Sequence, residues 1–343
     1  MSELALNLHQ GSAPAIFSAM SWSENGRSAL QHYGLAPDSE LELLRLSENA
    51  TYRVRDPETG ERRILRLARP GYRTGAQIES ELAWIAAIRS DGVAETPAVI
   101  PTLDGRAMSR FADSVGNEQH AVLFEHIDGE ALQDEALAGV FSELGATAAR
   151  LHAHSGSWLP PSGFTRPVWD VETSMGVHGL WGYWRDNQFV GRSEAAVLGA
   201  VDAKIRTELE AYGAPADRYG LIHGDMRLSN FLIDRKGIHL IDFDDCGYSW
   251  HLYELACSLS FIEAHPNVAT LASSWLDGYR RTATLSAADL SIAPALVMMR
   301  RMLLIGWFAT HGHALEARDM AERYVPDTME IAEAYLSDTY LSV

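Results

Sequence analysis

The segment His223–Asp242 constrains the fold more than any other, because its polar residues surround two short apolar runs with a turn between them. The runs are Phe231–Ile233 and His239–Ile241, and the residues between them favour a turn, so the segment predicts a β-hairpin. Asn230 precedes the first run and Asp242 follows the second. A hairpin would therefore bring these two polar side chains to the same edge.

The spacing of the polar residues suits group transfer at a metal-bound substrate. His223, Asp225 and Asn230 form the pattern H-x-D-x-x-x-x-N, which is the spacing of the kinase catalytic loop. An Asp in such a loop can reach an acceptor hydroxyl, while an amide oxygen a few residues later coordinates a metal. Asp242 ends an apolar strand, and a carboxylate held so rigidly suits Mg²⁺ bound to phosphate oxygens.

Two stretches, HGDMRLSNFLID and HLIDFDDCGYSWHLYELA, resemble the aminoglycoside phosphotransferase and choline kinase superfamily. The resemblance is closest to the branch of type II homoserine kinases and RdoA-type bacterial stress-response Ser/Thr kinases. It is specific over residues 220–260 and weaker over residues 40–155. It implies a bilobal protein-kinase-like fold, with ATP and Mg²⁺ as cofactors.

The resemblance also implies a role for each polar residue. Asp225 would be the catalytic base, or would at least orient the acceptor hydroxyl, and Asn230 and Asp242 would hold Mg²⁺. His223 would anchor the loop without acting as the base. Arg227 stands where protein kinases place a Lys, and its charge would stabilise the migrating phosphoryl group.

Three further acids accompany this set. Asp244 and Asp245 leave two interpretations open, a second metal contact or solvated acidic caps. Asp244 also replaces the Gly of D-F-G, a departure that is usual in the small-molecule branch. Glu254 replaces the Asp of the family's D-L-A sequence, an acid that supports the catalytic loop from a helix.

The apolar pattern predicts an α+β chain, in which a β-rich part with one helix precedes a mainly helical part. We expect an N-terminal leader with a short helix at 1–40, a nucleotide-clamping lobe at 41–127, and a catalytic and substrate lobe at 128–343. The predicted strands of the smaller lobe are Leu41–Leu46, Tyr52–Arg55, Arg63–Ala68, Ala98–Pro101, Ala107–Phe111 and Ala121–Phe124, and its helix is Thr74–Arg89.

In the larger lobe, Ala131–His154 and Ser193–Tyr212 show helical periodicity. Residues 155–187 form an insertion rich in Pro, Gly and Trp. Core packing is the first interpretation of its tryptophans, and capture of an amine by cation–π contact is the second. These tryptophans are Trp158, Trp169, Trp181 and Trp184.

Position along the smaller lobe predicts the nucleotide contacts. Ser47, Asn49 and Thr51 lie between two strands, where a hydroxyl and backbone N–H groups would meet phosphate, although an ordinary hairpin turn is the alternative. Backbone groups from Glu125 to Ile127 follow the last strand and would meet the adenine edge.

Arg66 stands where kinases place the Lys that contacts the α- and β-phosphates, and its guanidinium can bind phosphate as a fork. Its acidic partner is expected on the following helix. At 100° per residue, Glu81 lies on the shoulder of the apolar stripe through Ile78 and Ile85, whereas Glu79 lies towards solvent. The sequence therefore predicts a Glu81–Arg66 pair.

Composition limits the partners. The net charge of −18 disfavours nucleic acid and anionic membranes, and it would attract a cationic substrate, although solubility alone also explains it. A hydrophobic fraction of 47% suffices for two cores. The apolar run Ala295–Ala309 is interrupted by Arg300 and Arg301, which predicts a buried helix and no membrane span.

Two cysteines, Cys246 and Cys257, cannot staple a chain of 343 residues, so a reducing cytoplasm is expected. The start, MSELALNLHQ, lacks a basic segment, so a secretory signal is not expected. The sequence gives no indication of the oligomeric state.

The sequence thus favours a phosphotransferase that moves the γ-phosphoryl group of ATP to a hydroxyl of a small molecule. The acceptor would be an amino alcohol, an amino acid, a sugar or an aminoglycoside-like compound. The alternatives are a stress-response Ser/Thr protein kinase, weakened because no activation loop ends in A-P-E, and a non-catalytic nucleotide-binding module. The complete set of Asp225, Asn230 and Asp242 argues against the last.

Overall fold

The chain divides into two compact units in a computed structural model. The structure describes residues 19–131, 137–235, 237–311 and 315–341. One unit comprises the residues up to Glu79 together with Val99–His126, and the other comprises Ser80–Ala98 and the residues from Ile127 onwards. The division differs from the predicted limits because residues 80–98 group with the helical unit.

The N-terminal unit is an antiparallel sheet with the strand order β1-β2-β3-β6-β4, in which β5 also pairs with β6. The predicted strands are confirmed within a few residues at each end. The elements up to His126 are α1 (Ala19–His32), β1 (Glu40–Leu46), β2 (Asn49–Arg55), β3 (Arg62–Ala68), α2 (Gly75–Ser90), β4 (Val99–Ile100), β5 (Ser109–Ala112) and β6 (Glu118–Glu125).

Alternating side chains of the strands form the core of this unit. Leu65 and Leu67 of β3 point to one face because side chains two apart share a face of a strand. Helix α1 contributes Leu30 and Trp22 to the same cluster, and the Tyr33 hydroxyl donates to the carbonyl of Ala121 at 2.7 Å. The helix predicted for the leader is therefore part of the N-terminal unit, whereas residues 1–18 lie outside the described part of the chain.

The C-terminal unit is mainly helical, as predicted. Its elements are β7 (Glu130–Ala131), α3 (Leu137–Ser157), α4 (Val171–Met175), α5 (Arg192–Tyr212), β8 (Tyr219–Ile222), β9 (Phe231–Asp234), β10 (Gly237–Leu240), β11 (Gly247–Trp250), α6 (Tyr253–Ser258), α7 (Val268–Tyr279), α8 (Ala287–Thr310) and α9 (Leu315–Leu336).

Two small antiparallel sheets frame the candidate site. Strands β9 and β10 form the predicted hairpin, with Leu240 opposite Phe231, and β7 pairs with the other side of β9. Strand β8 pairs with β11, and neither was predicted. The helix expected from Ala131 begins at Leu137, because Ala131 pairs with Leu232 in the sheet. Residues 132–136 and Lys236 of the hairpin turn lie outside the described residues.

Helix α8 is the core helix of this unit. It alone among the described residues is long and apolar enough to cross a bilayer, but 89% of its apolar window is buried inside the fold. Arg300 and Arg301 are buried within it at 2% and 3% exposure. The prediction of a buried helix is confirmed, and both arginines must find partners inside the protein.

Candidate active site

The loop that follows β8 carries the H-x-D pattern and turns sharply at Gly224. Gly224 has a φ of +80°, and a Cβ atom there would lie 2.5 Å from the carbonyl oxygen of Asp245. Glycine is required for both reasons. The loop ends in a 3₁₀ turn, Leu228–Asn230, that runs directly into β9.

Asn230 holds Asp225 from the end of this loop. Its Nδ2 donates to the carbonyl oxygen and to Oδ2 of Asp225, both at 2.8 Å. The backbone N–H of Ile241 donates to the carbonyl of Asn230 at 2.9 Å, which joins the loop to the end of β10. With Nδ2 turned to Asp225, the amide oxygen of Asn230 is the atom that can bind a hard cation.

Two arginines lie against the Asp225 carboxylate. Nη2 of Arg300 is 2.5 Å from Oδ1, and Nε of Arg227 is 3.2 Å from Oδ2. The carboxylate is 9% exposed, so these charges act where solvent screens them weakly. Asp225 is thus held rigidly, with cations on two sides.

His223 anchors the loop through both ring nitrogens. Nε2 lies 3.1 Å from the carbonyl oxygen of Ile241, and Nδ1 accepts from the N–H of Asp225 at 3.2 Å. Burial lowers the pKa of His223 to about 4, so the ring is neutral at pH 7. A neutral ring with Nε2–H donating and Nδ1 accepting positions Asp225 and has no lone pair left for proton abstraction.

Asp242 follows β10 in a left-handed conformation, with φ 63° and ψ 68°. Such angles are uncommon for a residue with a side chain, and they cluster at functional sites. The next residue, Phe243, packs on the His223 ring at 4.5 Å between ring centroids. One carboxylate and one amide oxygen from adjoining backbone fit Mg²⁺, which takes few protein ligands and completes its shell with phosphate and water.

The interpretation of Asp244 as a solvated cap is wrong, because Asp244 is buried at 4% exposure. Arg166 donates to the backbone oxygens of Asp244 and Cys246, the latter at 2.6 Å. Trp169 Nε1 donates to the carbonyl of Asp245 at 2.8 Å. The insertion therefore braces the turn after Asp242.

The tryptophans of the insertion are mainly packing residues, as the first interpretation held. Trp169, Trp181 and Trp184 are buried, whereas Trp158 is half-buried against His154 and Phe164. A substrate-facing role would need exposed faces, which the three buried rings lack.

Glu254 of α6 supports the loop by hydrogen-bonding to its backbone. Its Oε1 accepts from the N–H of His223 at 2.5 Å and from the N–H of Gly224 at 3.0 Å. The longer Glu therefore reaches the loop backbone in place of the family's Asp. Burial raises the pKa of Glu254 to about 7.

Four residues predicted to contact the nucleotide lie on or between strands of the N-terminal unit: Ser47, Asn49, Thr51 and Arg66. Ser47 and Asn49 are buried, and the N–H of Ser47 donates to the carbonyl of Asn49 at 3.0 Å. Thr51 lies opposite Arg66 in the β2–β3 ladder, and the Arg66 guanidinium lies 5.5 Å from the Phe124 ring centroid. Their contact with a nucleotide stays a prediction.

Helix α2 presents its two acids as the periodicity indicated. Glu81 is fully buried, whereas Glu79 is exposed and pairs with Arg110 at 2.8 Å. Glu125 ends β6 and is exposed, and Ile127 is half-buried. The Glu81–Arg66 pair and the adenine contact at Glu125 and Ile127 stay predictions.

Arg300 was not predicted to lie in the site. In the sequence, its charge argued only against a membrane span. A signal was nonetheless present, because an arginine in the middle of an apolar helix must have a buried partner. No sequence pattern names that partner as Asp225, which is 75 residues away.

The combination of a β-rich unit, a helical unit and this loop is typical of a kinase. A model of the phosphotransferase enzyme family, APH, matches residues 41–290. The chain therefore belongs to the phosphotransferase enzyme family, and the predicted superfamily and protein-kinase-like fold are confirmed.

Individual proteins agree with this assignment. Amicoumacin kinase of Bacillus subtilis (strain 168) is 24% identical over 289 residues, covering 81% of this chain and 82% of that protein. The structure of a microcompartment-associated aminopropanol kinase is 40% identical with a TM-score of 0.85, covering 93% of this chain and 99% of that one. Amicoumacin kinase hAmiN, in complex with AMP-PNP, Ca²⁺ and Ami, is 21% identical with a TM-score of 0.74, covering 93% and 94%. The chain is a small-molecule kinase.

Proposed function

We propose that this kinase transfers the γ-phosphoryl group of ATP, with Mg²⁺, to the hydroxyl of an amino alcohol of aminopropanol size. One observation carries the proposal: 40% identity to an aminopropanol kinase over almost the whole of both chains. The net charge of −18 supports it, because an acidic protein favours the approach of a protonated amine.

The loop residues supply the chemistry that the transfer needs. Asp225 accepts a hydrogen bond from the acceptor hydroxyl and receives its proton as the new P–O bond forms and the bond to the ADP oxygen breaks. Asn230 and Asp242 would hold Mg²⁺, which supplies neutralising charge to the phosphates when bound. Arg227 adds a positive charge beside the loop.

Two finer assignments belong to the same proposal, and one alternative acceptor stands beside it. The assignment to the type II homoserine kinase and RdoA-type branch is supported by the sequence stretches 223–234 and 239–256. A cytoplasmic location rests on the two cysteines, which are buried and free. An antibiotic is the alternative acceptor, supported by the likeness to amicoumacin kinase at the lower identity of 24%.

An acceptor screen tests the proposal. ADP formation from Mg·ATP is measured with 1-amino-2-propanol, its two positional isomers, propanol as the amine-free control, ethanolamine, choline, serine, homoserine, a hexose, an aminoglycoside, amicoumacin and casein. We expect the highest kcat/KM with an aminopropanol. A preference for casein would favour the protein kinase alternative, and equal rates with propanol and aminopropanol would contradict recognition of the amine. Repeating the screen with Ca²⁺ and Mn²⁺ tests the choice of metal.

Asp225→Ala is the catalytic control for the same screen. We expect turnover to fall by roughly 100-fold or more, because the hydroxyl loses the group that orients it and takes its proton. ADP binding, measured by calorimetry, should persist. Near-normal turnover in this variant would show that Asp225 is not the residue that receives the proton.

A further inference from the structure

We propose that Arg300 is a positioning residue for phosphoryl transfer: from the core helix α8, it fixes the carboxylate of Asp225 before the acceptor arrives. The inference rests on the proposed role of Asp225 and extends the site beyond the loop. No sequence motif points to Arg300. The inference depends on the contacts of its guanidinium with Gly224 and Asp225, two consecutive residues of the loop.

The guanidinium uses three nitrogens on three acceptors. Nη2 contacts Oδ1 of Asp225 at 2.5 Å, and Nη1 donates to the carbonyl of Gly224 at 3.3 Å. Nε donates to the hydroxyl of Ser260 at 3.2 Å. Because the fork is planar and rigid, these bonds fix the side chain of Asp225 relative to its own loop backbone.

Aromatic rings surround the guanidinium. It lies 5.0 Å from the Trp181 ring centroid and 6.0 Å from that of Tyr253. Trp181 packs on Trp169 at 5.3 Å between centroids, and Trp169 binds the carbonyl of Asp245. The guanidinium of Arg300 is therefore confined as well as hydrogen-bonded, and it is connected to the turn that carries Asp242.

The other carboxylate oxygen of Asp225 is occupied by Asn230 and Arg227. Arg300 contacts Oδ1, so its loss removes the restraint that α8 places on this side of the carboxylate. Displacement of a catalytic group by about 1 Å costs on the order of 100-fold in rate. Lysine keeps the charge but has a single nitrogen, so it cannot hold both Gly224 and Asp225 in the same geometry.

Arg301 offers a matched control on the same helix. It is equally buried, pairs with Glu263 at 2.7 Å and donates to the Thr328 hydroxyl at 2.9 Å. Replacement of either arginine by lysine removes a buried fork of the same kind. Only Arg300→Lys alters a contact with Asp225.

The experiment compares Arg300→Lys and Arg301→Lys in the full chain. For each variant, kcat and the KM for Mg·ATP are measured with 1-amino-2-propanol, and ADP formation is also measured without any acceptor. We expect Arg300→Lys to lower kcat by roughly 100-fold with little change in the KM for ATP. Arg301→Lys should lose as much thermal stability as Arg300→Lys does. Its kcat should nevertheless stay within about threefold of wild type.

Equal kcat losses in the two variants, or a rise in the KM for ATP that accounts for the loss, would overturn the proposal. If Arg300→Lys does not fold, Ser260→Ala tests the same proposal. It removes one acceptor of the fork, and we expect kcat to fall roughly fivefold. Unchanged kcat in folded Ser260→Ala would then count against the positioning role.

The acceptor-free reaction separates this inference from the proposed acceptor. If the wild-type enzyme phosphorylates no aminopropanol but hydrolyses ATP slowly, only the acceptor assignment is contradicted. The Arg300 comparison would then be made on ATP hydrolysis, where the attacking water also needs Asp225 in place. A hydrolysis rate that falls in Asp225→Ala but not in Arg300→Lys would refute the positioning role.

Discussion

At the residue scale, the carboxyl group of Glu254 is buried, although its charged form is more stable in water. One carboxylate oxygen accepts from the N–H groups of His223 and Gly224, and the other has no hydrogen-bond partner among the described residues. Burial outweighs the two bonds, so the pKa of Glu254 rises to about 7. The loop is thus held by a group whose ionised form costs folding free energy.

Glu254→Gln should therefore change the pH dependence of stability. A carboxyl whose pKa is raised in the folded state from 4.5 to about 7 makes the fold less stable as pH rises across that window. Gln keeps an oxygen for the two loop N–H groups and cannot ionise. We expect the free energy of unfolding of the variant, relative to wild type, to gain up to about 3 kcal/mol between pH 5 and 8.

Urea unfolding of both proteins at several pH values measures this difference. His223 has the opposite sign, because its pKa of about 4 costs stability as pH falls below 6.5, but it is present in both proteins and its contribution cancels. A difference that stays flat from pH 5 to pH 8 would show that Glu254 titrates normally.

At the element scale, the contact between α3 and α7 depends on two glycines. A Cβ on Gly145 would lie 1.9 Å from the carbonyl oxygen of Trp275, and one on Gly278 would lie 1.8 Å from that of Ser142. The two helix backbones therefore approach more closely than any side chain permits. The same α3 carries His152, whose ring stacks on His251 at 4.4 Å between centroids.

Gly145→Ala should destabilise the protein, because α3 and α7 must separate to admit the methyl group, at a cost of about 1–3 kcal/mol or more. Gly156→Ala is the control, since no described atom beyond its chain neighbours and its own helix backbone lies within 4 Å of its methyl position. The control should keep or slightly raise stability, because alanine favours helix. Thermal unfolding of both variants checks the pair, and equal losses would show that close helix packing is not the cause.

At the scale of the whole molecule, charge is unbalanced. The 46 acidic residues outnumber the 28 lysines and arginines. The buried pairs Arg300–Asp225 and Arg301–Glu263 each use one acid and one base, so the excess acids lie elsewhere in the chain. Like charges at this density repel one another and oppose the compact state.

Salt should therefore stabilise this protein. Raising NaCl from about 0.01 M to 0.15 M shortens the screening length from about 30 Å to 8 Å, which weakens the repulsion. We expect the Tm to rise over this range, whereas sucrose at the same osmolality should change it less. A Tm that falls with NaCl would mean that attractive surface pairs outweigh the repulsion.

Local patterns predicted much of this structure because their causes are local. The hairpin β9–β10 follows from two apolar runs around a turn, and the burial of Glu81 rather than Glu79 follows from helical geometry. The strands β8 and β11 escaped prediction because each is short and contains glycine, so their pairing depends on residues far apart in sequence.

The sequence by itself determined the succession of a β-rich part and a helical part, the β9–β10 hairpin and the kinase class, because the signal for each lies in neighbouring residues. Only the tertiary structure decided which distant groups hold Asp225 and its loop. Arg300 from α8 contacts Asp225, the carbonyl of Ile241 contacts His223, and Glu254 binds the backbone of His223 and Gly224. Such contacts join residues many positions apart. They are selected by packing and by the cost of burying an unpaired charge, and neither quantity can be evaluated before the chain is folded.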